Sequence, residues 1–282
     1  MQRTIQTILS KDPIMLGSAL SLDPSSARLE VQCLLQKVLG IGRAYLFAHP
    51  ERVVSDAEEA AYQELLQRRL SGEPVAYILG EREFFGLSFS VTSATLIPRP
   101  DTELLVELAL ERGGSAVRVL DMGTGSGAIA LAIAHQQPDA EVWACDASAA
   151  ALAVARENAQ RLGLANVHFI ESDWFSALSG QCFDIIVSNP PYIAADDPHL
   201  SQGDVRFEPL SALASGADGL HDIRRIIAQA GAYLEHNGWL IFEHGYDQAA
   251  RVRELLRESG FTEVFSAKDL SGIERCSGGQ HP

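Results

Sequence analysis

Positive charge is scarce in this sequence. Its 282 residues carry 22 Lys and Arg against 37 Asp and Glu, a formal net charge of -15. A protein whose main work is gripping nucleic-acid phosphates needs a basic face, so a protein partner or a small cationic ligand fits better. Cysteine is scarce too. Cys33, Cys145, Cys182 and Cys276 are spread along the chain and no two form a Cys-x-x-Cys pair, so no metal site is read from them. Thiols kept reduced in a cytosolic protein account for them, with Cys145 and Cys182 in apolar runs that read as core. No run of about 18 apolar residues is present to span a bilayer, and Met1-Gln2-Arg3-Thr4 opens no long apolar stretch of a secretory leader. A soluble, cytoplasmic protein without membrane contact is expected. Internal repeats and low-complexity tracts are also lacking.

What is present is ample core material, 46% hydrophobic residues, in a length that suits one large or two modest domains. Residues 1–75 read as a small helical bundle. Leu29, Val31, Leu34, Leu35, Val38 and Leu39 recur at helical spacing until Gly40. Ser55-Asp56-Ala57-Glu58 is a capping-box pattern that opens another helix through Tyr62, Leu65, Leu66 and Leu70. The bundle carries no catalytic pattern and reads as a packing or partner-docking module. Residues 76–97, with Tyr77-Ile78-Leu79-Gly80 and Phe84 to Val91, read as a β-hairpin linker. Within Pro98-Arg99-Pro100-Asp101-Thr102-Glu103, Asp101 or Thr102 is expected to cap the next helix, and Arg99 and Glu103 suit either a surface ion pair or an active-site rim.

From about residue 115, strand and helix patterns alternate. Val117–Leu120, Val142–Cys145, Val167–Ile170, Phe183–Val187 and Trp239–Phe242 read as strands, and Glu263–Ser266 with Ile273–Cys276 as a closing pair. Helices fall between them, one of them over 222–234. Strict alternation predicts an α/β fold, a mostly parallel seven-stranded sheet with helices on both faces, spanning 98–282.

The chemistry sits at the strand ends. Asp121-Met122-Gly123-Thr124-Gly125-Ser126-Gly127 follows the first strand and opens a helix. Its glycines let backbone approach a ligand, and the helix start offers N–H groups to a carboxylate. The spacing GxGxG is not the dinucleotide GxGxxG, which argues against a nucleotide-dependent oxidoreductase. Asp121 is placed to hold an ammonium group. Asp146, at the end of the second strand, is where an acid accepts ribose hydroxyls in doubly wound sheets. Asp173 can accept an adenine amine, and Trp174 can pack on a ring face. The fourth strand ends in Ser188-Asn189-Pro190-Pro191-Tyr192. Prolines without N–H groups stiffen the exit and leave carbonyls unquenched. Asn189 adds another acceptor oxygen and Tyr192 a flat face, a constellation suited to a planar –NH2 group. A nucleoside with an amino-acid tail beside such a site points to S-adenosyl-L-methionine and N-methylation.

The glycine loop, Asp146 and Asn189-Pro190-Pro191-Tyr192 resemble class I S-adenosylmethionine-dependent methyltransferases that act on planar amines. Gly72-Glu73-Pro74-Val75-Ala76-Tyr77-Ile78-Leu79-Gly80, Phe84-Phe85-Gly86-Leu87, Ile97–Glu103, Phe207-Glu208-Pro209-Leu210 and Asp269–Arg275 narrow the likeness. Together they resemble the PrmC/HemK family, which methylates the glutamine of the Gly-Gly-Gln motif in peptide chain release factors. The resemblance implies a Rossmann-like catalytic domain and a helical substrate-docking domain. It also implies donor binding by the Gly123–Gly127 loop, Asp146 and Trp174, and a substrate glutamine held by Asn189 to Tyr192. S-adenosyl-L-homocysteine would be the product and a monomer without direct nucleic-acid contact the working form. A DNA or ribosomal RNA N-methyltransferase is the alternative. The sequence closes with its own Gly278-Gly279-Gln280, expected to be a flexible terminus.

Overall fold

The computed structural model describes residues 3–114 and 117–282, which form two compact units. One comprises residues 3–81 with Gln202–Phe207, the other residues 82–201 with 208–282.

The first unit is helical: α1 (Ile5–Leu20), α2 (Pro24–Leu39), α3 (Arg43–Ala48), α4 (Asp56–Leu70) and α5 (Val75–Leu79). Its helix starts are fixed locally. Asp23 Oδ1 accepts from the N–H groups of Ser25 and Ser26 at the start of α2, with Pro24 in the first turn. Ser55 and Glu58 close a reciprocal capping box on α4. Ile5, Ile8, Leu16, Val31, Leu34, Leu35, Leu46, Tyr62 and Leu66 make the core. Arg69, 2% exposed, pairs with Glu30 and with Asp204 at 3.0 Å, which ties Gln202–Phe207 into this unit. The hairpin expected over 76–97 becomes strand only at Glu81. Val75–Leu79 is helical, because Pro74 leads into it, Ala76 and Ile78 are buried, and Gly80 stops it at φ 75°.

The hairpin is β1 (Glu81–Phe84) and β2 (Leu87–Ser90), joined by Phe85-Gly86 with φ of 52° and 76°. Such a two-residue turn needs positive φ at both positions. Phe85 adopts it while its N–H donates to Glu103 Oε1 at 2.9 Å. Buried Asn158 pins the hairpin from the other side, accepting from Ser90 N–H at 2.7 Å and donating to the Ser90 and Ser126 carbonyls.

Then follow α6 (Glu103–Arg112), β3 (Arg118–Met122), α7 (Ala128–Gln136), β4 (Glu141–Asp146), α8 (Ala149–Leu162), β5 (Val167–Glu171), β6 (Phe183–Ser188), α9 (His221–Ala230), β7 (Leu234–Glu243), α10 (Ala249–Glu258), β8 (Thr262–Lys268) and β9 (Glu274–Gln280). The seven-stranded sheet has the order β5-β4-β3-β6-β7-β9-β8. β5 to β7 are parallel, and β9 is antiparallel to both β7 and β8. Alternate strand residues face opposite layers. Val119 and Ile185 pack with α6, α7 and α8, whereas Leu120 and Ile186 pack with α9 and α10. α9 ends before 234, because the chain turns at Gly231 to enter the ten-residue β7.

The closing Gly-Gly-Gln is not a loose tail. It lies in β9, between β7 and β8, with Gly278 paired to Ile241 and Gly279 to Leu240. A Cβ at Gly278 would stand 2.6 Å from the Leu240 carbonyl oxygen and 2.8 Å from Phe265 Cε1, so a glycine is required by close packing. Among the described residues no helix is long and apolar enough to cross a membrane.

Candidate active site

The strand order reverses between β3 and β6, and open α/β sheets bind ligands at the carboxyl ends of strands flanking such a point. A cavity of about 580 Å³ lies there. Its wall includes Arg99, Thr102, Gly123, Thr124, Gly125, Ser126, Asp146, Asp173, Trp174, Asn189 and Pro191, together with Asp222 and Arg225.

The glycine loop is shaped from below. The N–H groups of Gly123 and Thr124 both donate to the Cys145 carbonyl at 2.9 Å, which draws the loop over the end of β4. Gly123, Gly125 and Gly127 have φ of 71°, 57° and 84°. Asp146 Oδ2 accepts from Gly125 N–H and Oδ1 from Ser148 N–H, each at 2.9 Å. One carboxylate therefore links the loop to the start of α8, and its remaining lone pairs are free for a ligand's hydroxyls.

Asp121 and Gly127 stand behind this wall. Asp121 is fully buried, its Oδ2 accepting from Thr124 Oγ1 at 2.6 Å and from Ala130 N–H at 3.2 Å. Among the described residues its Oδ1 has no hydrogen-bond partner. Burial pushes the carboxyl up to about 7 against those two hydrogen bonds, and nearby Asp146 adds to the rise.

At the far wall, Trp174 has φ 50° and its indole lies beside Gly123, where a Cβ would be 3.7 Å from the ring. Asp173 pairs with Arg225 at 3.0 Å. Asp222 and Arg225, both from α9, are wall residues that carry no sequence motif.

Asn189 leaves β6 next to the loop strand, Ser188 being in register with Met122. Its Nδ2 donates to Thr102 Oγ1 at 3.2 Å, and among the described residues nothing donates to its Oδ1 or to the Pro190 carbonyl. Pro190 and Tyr192 are not in the cavity wall. Tyr192 is held from behind: its hydroxyl donates to Glu243 Oε1 at 3.3 Å, and its carbonyl accepts from Gln248 Nε2 at 3.0 Å. Burial and the Glu243 charge push the phenol up, so it stays neutral. Glu243 is itself buried, and burial raises its carboxyl. The hydroxyls of Thr102 and Tyr192 and the charge of Arg275 oppose that rise, while Asp101 adds to it.

The entry segment meets its expectations only in part. Thr102 stands at the N-cap of α6 and closes a short 3-10 turn, Pro100–Thr102, but its side chain makes no cap hydrogen bond. Of the two readings of Arg99 and Glu103, the ion pair between them does not form, while Arg99 lies in the cavity wall. Arg99 pairs with Glu208, whose buried carboxylate also accepts from Ile97 N–H at 3.0 Å, while Glu103 serves the hairpin turn. Glu208 thus clamps one wall of the cavity to the segment after it.

Against known proteins, residues 19–80 match the PrmC N-terminal domain and residues 99–203 the methyltransferase small domain. The release factor glutamine methyltransferase of Bordetella pertussis is 55% identical, covering 91% of this chain and 96% of that protein. The release factor glutamine methyltransferase of Burkholderia pseudomallei is 50% identical over 96% of this chain and 97% of its own length. Among solved structures, a T. thermophilus 16S rRNA methyltransferase, RsmC, in complex with AdoMet and guanosine has a TM-score of 0.52 at 22% identity, covering 72% of this chain and 50% of that chain. That likeness concerns the fold.

Proposed function

This chain belongs to the release factor glutamine methyltransferase family, and from that premise we propose how its site works: the cavity binds S-adenosyl-L-methionine, and the Asn189–Tyr192 corner presents a release-factor glutamine to it. The chain is a methyltransferase of release-factor glutamine. Its target is the side-chain nitrogen of the glutamine in a Gly-Gly-Gln motif. On this reading it works in the cytoplasm as a monomer, on a protein partner.

The residues present fit the donor. A cavity of about 580 Å³ is of small-ligand size. Left-handed glycines bring bare backbone to its wall, Asp146 is suited to ribose hydroxyls, and Trp174 with Asp173 is suited to an adenine. When bound, the donor supplies a methyl group on a sulfonium.

The protein's own task is harder, because an amide nitrogen is a poor nucleophile whose lone pair is delocalised into its carbonyl. The observation that carries the reading is the unspent oxygen of Asn189 at the cavity wall, beside an unspent Pro190 carbonyl. Those two acceptors would take the two N–H groups of the substrate amide. They would fix its nitrogen in line with the methyl and stabilise the positive charge that grows on it. Acceptors already in place need no reorganisation, and one such contact is worth roughly 3 kcal/mol. A new N–C bond would form at the expense of the donor's S–C bond, the sulfur keeping that electron pair. The alkylated nitrogen is then acidic and sheds its proton without a strong base, which fits a neutral Tyr192.

The test is a labelled-methyl transfer assay that offers a release factor, DNA and ribosomal RNA in parallel. Label is expected on the release-factor glutamine alone. Transfer to either nucleic acid with none to the protein would reverse the assignment.

A further inference from the structure

A carboxamide has two ends of nearly equal shape, one that accepts hydrogen bonds and one that donates them. Turned the wrong way, Asn189 would set N–H groups against the N–H groups of its substrate. Something must select the orientation.

Asn189 Nδ2 donates to Thr102 Oγ1 at 3.2 Å. Thr102 is 4% exposed and spends nothing on the helix that follows it. A hydroxyl has one proton, and where that proton goes decides whether its lone pairs or its O–H face a neighbour. Glu243, 3% exposed, directly follows Phe242, which is in register with Ser188. It therefore stands level with Asn189 on the adjoining strand. The Tyr192 hydroxyl donates to its Oε1 at 3.3 Å, the Thr102 hydroxyl counters the rise of its carboxyl, and among the described residues its buried Oε2 has no hydrogen-bond partner, an acceptor open to the Thr102 O–H.

Resting on the reading above, we propose that Thr102 and Glu243 are positioning residues that set the polarity of Asn189. The Glu243 carboxylate accepts a hydrogen bond from the Thr102 hydroxyl, Thr102 turns its lone pairs to Asn189 Nδ2, and Oδ1 is left for the substrate amide. The same carboxylate holds the Tyr192 hydroxyl, so one buried acid orients both ends of the Asn189–Tyr192 corner. A small hydroxyl residue at position 102 and an acid at the end of β7 are thereby parts of the methyl-transfer apparatus without touching the substrate.

The test uses the full chain with a release factor as acceptor and reads kcat, KM and the dissociation constant of the methyl donor. Thr102→Val keeps the shape and removes the hydroxyl. Thr102→Ser keeps the hydroxyl. Glu243→Gln keeps the shape but offers Thr102 an N–H. T102V and E243Q should each lower kcat about tenfold or more. Donor affinity in both, and kcat in T102S, should stay within about threefold of the parent. A purely structural Thr102 would not give a kcat loss with intact donor binding and rescue by serine. T102V turning over at the parental rate would overturn the proposal, and so would a T102S as slow as T102V. Should T102V fail to fold, E243Q decides by the same criterion. Asn189→Ala run alongside separates the two levels. Activity lost in N189A but kept in T102V sinks the orientation role alone, whereas activity kept in N189A sinks the reading beneath it.

Discussion

The indole Nε1 of Trp174 donates to Asp222 Oδ1 at 3.1 Å. Asp222 is fixed in turn by Ser215, whose hydroxyl donates to Oδ2 at 2.7 Å and accepts from the Asp222 N–H. A residue from α9 thereby sets the ring that stands beside the glycine loop. Asp222→Ala should weaken methyl-donor binding about fivefold to tenfold, the loss of roughly one hydrogen bond's net worth. kcat at saturating donor should hold. Calorimetric titration of the variant checks this, and an unchanged dissociation constant would remove Trp174 from the donor site.

Asp146 joins Gly125 to Ser148 through its two oxygens. Asp146→Ala strands two N–H groups and removes the acceptor proposed for ribose hydroxyls. Charged hydrogen bonds are worth about 1.5–3 kcal/mol each, so donor affinity should drop more than about tenfold. The same titration reads it, and a thermal melt should show a lower Tm because the loop loses its tie to α8.

Asn189→Ala removes one of the two acceptors proposed for the substrate amide. Turnover should fall about 100-fold, the range seen when one aimed polar contact is deleted, with donor affinity unchanged. Single-turnover methyl transfer isolates the chemical step. A rate within a factor of about two of the parent would show that the amide is held by other groups.

Asp121 makes a pH prediction. Its folded carboxyl is pushed up to about 7, whereas an unfolded aspartate titrates near 3.9. Between those values the folded protein holds a proton that the unfolded chain has lost. Its stabilising contribution is therefore greatest below about pH 4 and declines as pH rises to about 7. Asp218, lowered to about 2 chiefly by its hydrogen bond from Arg224, runs the other way, adding stability that is lost as pH falls through that value. Asp121→Asn keeps an acceptor for Thr124 and Ala130 and cannot titrate. Its Tm relative to the parent should improve between about pH 5 and pH 8. Parallel melts that track each other across that range would contradict the assignment.

Gly278 and Gln280 make a prediction about self-modification. Gly278→Ala pushes a methyl into the Leu240 carbonyl and the Phe265 ring and should cost about 1–3 kcal/mol in a denaturant titration. Gln280 is paired in β9 with Trp239 and Thr262, and its Nε2 donates to the Asn237 carbonyl at 3.0 Å. Mass spectrometry after incubation with donor should find Gln280 unmodified.

Much of this was legible in the sequence because it is local. A capping box such as Ser55–Glu58 is complete within four residues, and the strand-end motifs Gly123–Gly127 and Ser188–Tyr192 sit where the alternation of strands and helices puts them. Tyr77-Ile78-Leu79 misleads, since an aromatic and a β-branched residue read as strand until the burial of Ala76 and Ile78 is known. Thr102 misleads for a related reason: its type suits a cap, but its partner lies 87 residues away. Asp222 and Glu243 left no trace, because what they touch is set by how α9 and β7 pack and not by neighbours in sequence. Glu208 was legible only as part of Phe207-Glu208-Pro209-Leu210, without a role, since its partners Arg99 and Ile97 lie 109 and 111 residues away. The closing glycines read as slack, yet they are glycines because neighbours leave no room for a Cβ.

The place of β9 between β7 and β8 has a consequence for how the molecule is made. Among the described residues β8 bonds to no strand but β9, which is synthesised after it, so its hydrogen-bonding partner is missing until β9 has emerged. For that interval β7 offers an open hydrogen-bonding edge with Leu240, Ile241 and Phe242 at its middle. A chain that stalls there carries the parts of its site already folded, along with a ready template for sticking to its neighbours.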